Sequence, residues 1–337
     1  MSQTSTIEAS VRGSATRRRI LKTGGAATVL ALSGGLRAQG GDWPRRPVRL
    51  IVPVAPGGVY DAQARIVAEK LSAILGQQVL VENKPGAESK IGMAAVANAD
   101  PDGYTILMCG STMVHAVVFN QDAHLKLSQF TPLGMCSWLP IGFGTNAAIP
   151  AESLGEFVRY AKDRPGQLAY GSIALSTRGI GEAFKLAAGI DLIHIGYKGE
   201  SPLTTDLIAG HVPTGFMTSG GFKQWYGNGG KIRWLAVTTP KRMTRFPDVP
   251  TFVESGYPTM DLSAWLGFSA PSKTPKEIVA RLSQAIGEAM AAPDVGSRIL
   301  DLGVEPHYLP ADGFAGFMDE ELDKWTRLQR ETGLEIS

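Results

Sequence analysis

From residue 48 onward, short apolar runs alternate with stretches whose apolar residues recur every three or four positions. Val48–Val54 is an apolar run of strand length. It breaks at Pro56-Gly57-Gly58. Ala64, Val67, Ala68, Leu71 and Leu75 then share one helical face, which predicts a helix over Asp61–Leu75. The alternation continues with a strand at Gln78–Glu82, a turn at Asn83–Ala87, a helix at Ile91–Asn98 and a strand at Tyr104–Cys109. Phe130–Trp138 and Ile141–Asn146 read as further strands.

A second block repeats the logic. Helices are expected at Ser153–Arg164, Glu182–Ala188 and Pro202–Ala209, and strands at Leu168–Ile173, Asp191–Ile195, Pro213–Thr218 and Lys231–Val237. A short helix is expected at Thr251–Ser255. A last block holds the strand Ala264–Ala270 and helices at Lys276–Met290, Asp294–Leu302 and Ala311–Thr332. Short loops between alternating elements predict an α/β protein with parallel, doubly wound sheets. The chain builds one lobe, leaves it, builds a second and returns. The crossings are expected near Ile141–Asn146 and Ala264–Ala270, giving lobe 1 as residues 39–142 plus 268–337 and lobe 2 as 143–267.

Residues 1–38 change the charge balance. Arg17-Arg18-Arg19 precede the mildly apolar run Gly24–Leu36, and Ala38 supplies a small residue for cleavage. Together these predict a secretory signal of the twin-arginine type, and so a periplasmic location. The segment carries six of the 33 basic residues and one of the 31 acidic ones. The remainder, with 27 basic and 30 acidic residues, has a net charge of −3 rather than the whole chain's +2. A basic nucleic-acid surface is therefore not expected, and no later run is long enough to span a bilayer.

Candidate chemistry begins at the first glycine turn. A strand entering a glycine turn that opens a helix leaves backbone N–H groups and the positive end of the helix dipole pointing outward, which suits carboxylate or phosphate. Gly86 and Ala87 repeat this device after the second strand, and Ser111 and Thr112 follow the third. No catalytic set emerges: there is no G-x-S-x-G elbow and no G-x-G-x-x-G after a strand. No C-x-x-C or histidine pair at metal spacing occurs, so neither metal nor cofactor is expected. Two readings stand for Cys109 and Cys136: a disulfide, or two small core residues.

With these residues in view, the chain resembles the Bug family of solute-binding proteins, the extracytoplasmic receptors of tripartite tricarboxylate transporters. The matching runs are WPRRPVRLIVPVAPGG from Trp43, GQQVLVENKPGA from Gly76, PDGYTIL from Pro101 and YKGESPLTTDLIAGHV from Tyr197. LAVTTPKR from Leu235, FPDVPT from Phe246 and TPKEIVARL from Thr274 complete the set. The resemblance implies a type II periplasmic-binding-protein fold, two doubly wound lobes joined by two crossing segments around a central ligand cleft. It also implies a monomeric, non-enzymatic receptor that closes on a small carboxylate and delivers it to membrane transporter subunits. A ligand-sensing partner, or less readily a hydrolase or transferase on the same scaffold, are the alternatives.

The candidate ligand residues are Pro56, Gly57, Gly58, Tyr60 and Asp61 in the first loop, and Gly86, Ala87, Ser89 and Lys90 in the second. Ser111, Thr112 and His115 follow the third strand. Ser172, Thr177, Arg178, Asp206 and Thr218 belong to the second lobe. Several have a plainer reading: Asp61 as a helix cap, His115 as a buried histidine, Asp206 as a surface carboxylate. Arg178 suits a second carboxylate because its guanidinium binds in a fork. The family's first loop reads like PPGGGxD, so Tyr60 stands where a small, usually hydroxyl-bearing residue is usual. The family's second loop reads like NRPGAGGN, where Glu88 and Lys90 add charge here. The glycine-rich loop of the second lobe lacks the family's histidine.

Overall fold

The computed structural model describes residues 43–87, 89–119, 125–218 and 230–333. The expected signal, residues 1–38, lies outside the described residues, as does Glu88. The first sheet has six strands: β1 (Val48–Val52), β2 (Val79–Asn83), β3 (Thr105–Gly110), β4 (Phe130–Leu139), β10 (Ala264–Pro271) and β11 (Glu305–Pro310). Their order is β11-β4-β10-β3-β1-β2. The second sheet has five strands: β5 (Ile141–Asn146), β6 (Leu168–Ser172), β7 (Leu192–Gly196), β8 (Thr214–Thr218) and β9 (Ile232–Val237). Their order is β7-β6-β8-β5-β9.

The two sheets share one pattern. Around β1, both β2 and β3 run parallel, β10 runs antiparallel to β3, and β4 is antiparallel to β10. Around β6, both β7 and β8 run parallel, β5 runs antiparallel to β8, and β9 is antiparallel to β5. The sheets are therefore mixed rather than wholly parallel, as the alternation of elements had suggested. The reason is entry direction. β5 and β10 are the strands by which the chain arrives from the other sheet. Each enters at the edge where the parallel strands end, so it must run against them. The chain changes sheet at Pro140, between β4 and β5, and again in the segment 238–263 before β10. Ile141–Asn146 and Ala264–Ala270 thus each lie within one sheet, and the crossings precede them.

The crossings are stitched together. Thr238 donates its N–H to the Ile141 carbonyl (2.9 Å), and its hydroxyl accepts from Ile141 N–H (3.3 Å). The same hydroxyl lies 3.2 Å from that of Ser263.

Helices cover the sheets: α1 (Val59–Leu75), α2 (Lys90–Ala97), α3 (Ser111–Phe119), α4 (Leu154–Lys162), α5 (Leu175–Ala188) and α6 (Glu200–Ala209), followed by α7 (Lys276–Met290), α8 (Pro293–Asp301) and α9 (Ala311–Thr332). Thr251–Ser255 forms successive turns rather than a helix, because Val237 pairs with Thr251 and holds the segment against β9. Cys109 and Cys136 are free, buried thiols. They lie on β3 and β4, which flank β10. Two strand spacings, about 9–10 Å, exceed what a disulfide bridges. No helix of the described residues is long and apolar enough to cross a membrane.

Candidate ligand site

Three adjacent strand ends build the first wall. β1 turns through exposed Pro56 and Gly57 into α1, whose N-cap is Gly58. Gly57 has φ +92°, a region open to glycine. The first helical bond is Ala62 N–H to the Gly58 carbonyl (2.9 Å). The N–H groups of Val59, Tyr60 and Asp61 therefore have no acceptor within the helix, and no side chain caps it.

Asp61 turns inward and organises the loop. Its Oδ2 accepts from Gly57 N–H (2.9 Å) and Arg65 Nε (3.1 Å), and its Oδ1 from Asn83 Nδ2 (2.9 Å). Arg65 Nη2 also donates to Asn83 Oδ1 (3.0 Å), and Asn83 Nδ2 to the Val54 carbonyl (3.1 Å). This network ties the first loop to the second. The Arg65 guanidinium, helped by the Gly57 and Asn83 bonds, lowers the Asp61 carboxyl to about 2 despite its burial.

The second loop bends sharply. Gly86 has φ +123°, while Ala87 (φ +46°) and Ser89 (φ +75°) are non-glycine residues in the left-handed region. Such conformations cost on the order of 1 kcal/mol each and persist where the surroundings fix them. Ser89 is buried and is the N-cap of α2 without a side-chain bond, and half-buried Lys90 opens the helix. The third connection has no loop at all, since β3 ends at Gly110 and α3 starts at Ser111. Ser111 is buried. Thr112 is half-buried and hydrogen-bonds the hydroxyl of half-buried Tyr60. The Tyr60 ring packs on the apolar cluster that holds Leu50, Val67 and Met108.

The second wall lies at the ends of β6 and β8. Buried Ser172 Oγ is 2.8 Å from His194 Nε2. Thr177 Oγ1 accepts from the N–H groups of Ile173 and Ala174 (both 3.1 Å) and donates to the Ala174 carbonyl (2.9 Å). That bonding makes it an internal cap for α5. Arg178 is half-buried, and its Nε is buried without a partner. Thr218, ending β8, gives both its N–H (2.7 Å) and its hydroxyl to Glu200 at the start of α6.

The structure thus gathers Pro56, Gly57, Gly58, Tyr60, Asp61, Gly86, Ala87, Ser89, Lys90, Ser111 and Thr112 at three neighbouring strand ends. Ser172, Thr177, Arg178 and Thr218 gather at two strand ends of the second sheet. Two candidates fall elsewhere. His115 is one turn into α3, edge-on to Trp325 at 4.3 Å with Phe119 at 6.1 Å. Burial lowers its pKa to about 3, so the ring is neutral. Asp206 sits about 9 Å along α6 from its start and is taken up by Tyr197 Oη (2.9 Å) and His211 Nδ1 (3.2 Å). Sequence reasoning passed over Arg65, Asn83, His194 and Glu200. Only the Asp61–Arg65 spacing of four carried a signal; the other partners meet through strand order.

The model for the "tripartite tricarboxylate transporter family receptor" matches residues 63–334. The chain belongs to this receptor family. Protein BugT of Bordetella pertussis is 33% identical over 299 residues, covering 87% of this chain and 91% of BugT. The solved periplasmic binding protein BugD is 30% identical with a TM-score of 0.70, covering 87% and 99% of the two chains. The R. palustris protein Rpa4515, solved with adipate, is 29% identical with a TM-score of 0.73, covering 87% and 99%. The receptor family consists of solute-binding proteins rather than enzymes, and this chain is a periplasmic solute-binding receptor of that type.

Proposed function

We propose that this receptor captures a small carboxylate between its two lobes and delivers it to the membrane subunits of a tripartite tricarboxylate transporter. The observation that carries the reading is the uncapped start of α1 at the ends of β1 and β3, with N–H groups that lack helical acceptors. Arg178 on the second wall supports it, since its buried Nε lacks a protein partner and a second carboxylate would supply one. The adipate bound to the R. palustris relative is an acid of this class. Export by the twin-arginine route, carried by Arg17-Arg18-Arg19, completes the proposal. Binding draws the lobes together about the stitched crossings, because contacts to both walls exist only in the closed form.

Gly58 supplies the test. Its φ of −84° suits any residue, and a Cβ there meets nothing within 4 Å. Gly58→Ala is expected to bind carboxylates as the wild type does, one to one by calorimetry. Gly58→Asp places a negative charge at the helix start and is expected to abolish binding. Equal affinities for the two variants would refute the loop as the anion site.

A further inference from the structure

The strand order β3-β1-β2 places a topological switch beside β1. The chain leaves β1 through α1 for β2, then returns through α2 to β3 on the other side of β1. A crevice opens at the carboxyl ends of β1 and β3, where ligands of open α/β sheets bind. Tyr60 lies across it. Its backbone is in the first turn of α1. A Cβ placed on Gly110, the last residue of β3, would overlap the Tyr60 hydroxyl and lie 2.8 Å from the ring's Cζ. The hydroxyl is bonded to Thr112 at the start of α3, so the ring reaches from the first loop to the third.

Extending the pairing of Ile51 with Leu107 puts Gly110 level with Val54, immediately before the first loop. The phenol thus lies against the end of β3, level with the residue that precedes the first loop. Burial raises its pKa to about 12, so it stays neutral beside a carboxylate. Gly110 is what makes the ring's position available, since any side chain there would expel it.

We propose that Tyr60 determines ligand specificity: its ring is the floor of the β1/β3 crevice and limits the length of the acid this receptor accepts. This rests on the carboxylate reading above. With the ring in place, acids longer than the cleft cannot seat one carboxylate on α1 and the other on the second wall. With a small residue there, the first carboxylate sits deeper and longer acids fit.

The test uses the mature chain and linear α,ω-dicarboxylates from malonate to suberate as probes, each measured by calorimetry. Tyr60→Thr is expected to move the optimum to a longer acid. The preference between neighbouring chain lengths should change roughly tenfold or more, the scale on which a pocket reads one methylene. Tyr60→Phe keeps the ring and is expected to keep the wild-type optimum, although the bond to Thr112 is lost. If Tyr60→Thr does not fold, Tyr60→Leu retains apolar packing while shortening the side chain, and the same shift is expected. An unchanged optimum in a folded Tyr60→Thr or Tyr60→Leu protein overturns the proposal and leaves the carboxylate reading standing. No binding of any probe by wild type or variant overturns both.

Discussion

Asp61 and His115 are both buried ionisable groups, and their surroundings treat them in opposite ways. Asp61 keeps its charge because Arg65, Asn83 and Gly57 N–H all donate to it. His115 packs against the rings of Trp325 and Phe119 with its Nε2 buried and unpartnered, and burial makes it give its charge up. The sequence reading already offered His115 as a buried histidine, but it left Asp61 open. Asp61 read equally as a cap or a ligand contact, and the donors that settle its bonding come from residues four and 22 positions away. The histidine has a testable consequence. Its unfolded-state pKa is near 6.5, while burial holds the folded one near 3. As pH falls below 6.5 the unfolded chain takes up a proton that the folded chain refuses. Stability contributed by the neutral ring is complete above pH 6.5 and is lost as pH falls toward 3, at up to about 1.4 kcal/mol per pH unit. His115→Phe keeps an aromatic ring beside Trp325 and removes the titration. Urea unfolding at pH 7.5 and pH 4.5 is expected to show a smaller loss in the variant than in the wild type. Equal losses would mean that His115 is not held neutral.

At the scale of elements, the strands and amphipathic helices were legible because their apolar periods are clean. Three segments were not. α3 (STMVHAVVF) is apolar on nearly every side and rich in β-branched residues, since it is buried between the sheet and α9. No polar face marks its period. β11 carries Pro306 and Pro310, which an edge strand tolerates but a sequence reading takes as loop. The first turns of α5 contain Gly179 and Gly181 and read as loop. Gly181 is there because the Tyr170 ring leaves no room for a Cβ. Close approach also explains Gly92 in α2. A Cβ there would lie 2.7 Å from Pro53 Cβ, 2.8 Å from Pro53 Cα and 2.9 Å from the Lys84 carbonyl. Two of these are backbone atoms, so α2 and the second loop must shift together. Gly92→Ala is expected to cost about 1–3 kcal/mol and to weaken carboxylate binding. Gly155→Ala, at an exposed position of α4 with nothing within 4 Å, is expected to stabilise by about 0.5–1 kcal/mol. Denaturant midpoints for both proteins decide the matter, and similar midpoints would remove the tight-packing account.

At the scale of the molecule, the crossings divide each sheet into two sides. The candidate ligand loops stand on the side of β3, β1 and β2 in the first sheet and of β8, β6 and β7 in the second. On the far side, the loop after β9 packs Met243, Phe246 and Val249 into the second sheet's apolar cluster. Its tip reaches across to the first sheet. Thr244 gives its N–H (2.7 Å) and hydroxyl (2.8 Å) to Glu305 of β11. Arg245 Nε donates to the Leu300 carbonyl (3.0 Å), and its Nη2 pairs with Asp301 of α8. If the lobes swing about the stitched crossings, closing the ligand side opens this far side, so the contact opposes closure. Exposed contacts of this kind are worth about 0.2–1 kcal/mol. Glu305→Ala breaks both Thr244 bonds and is therefore expected to tighten carboxylate binding, by roughly two- to fivefold. Arg46→Ala removes an exposed pair with Asp102 (2.8 Å) near the starts of β1 and β3 and is expected to leave affinity unchanged. Calorimetry on the two variants separates the cases. Weaker binding in Glu305→Ala would show that the far-side contact favours the closed form, and the same affinity in both would show that it does not participate in closure.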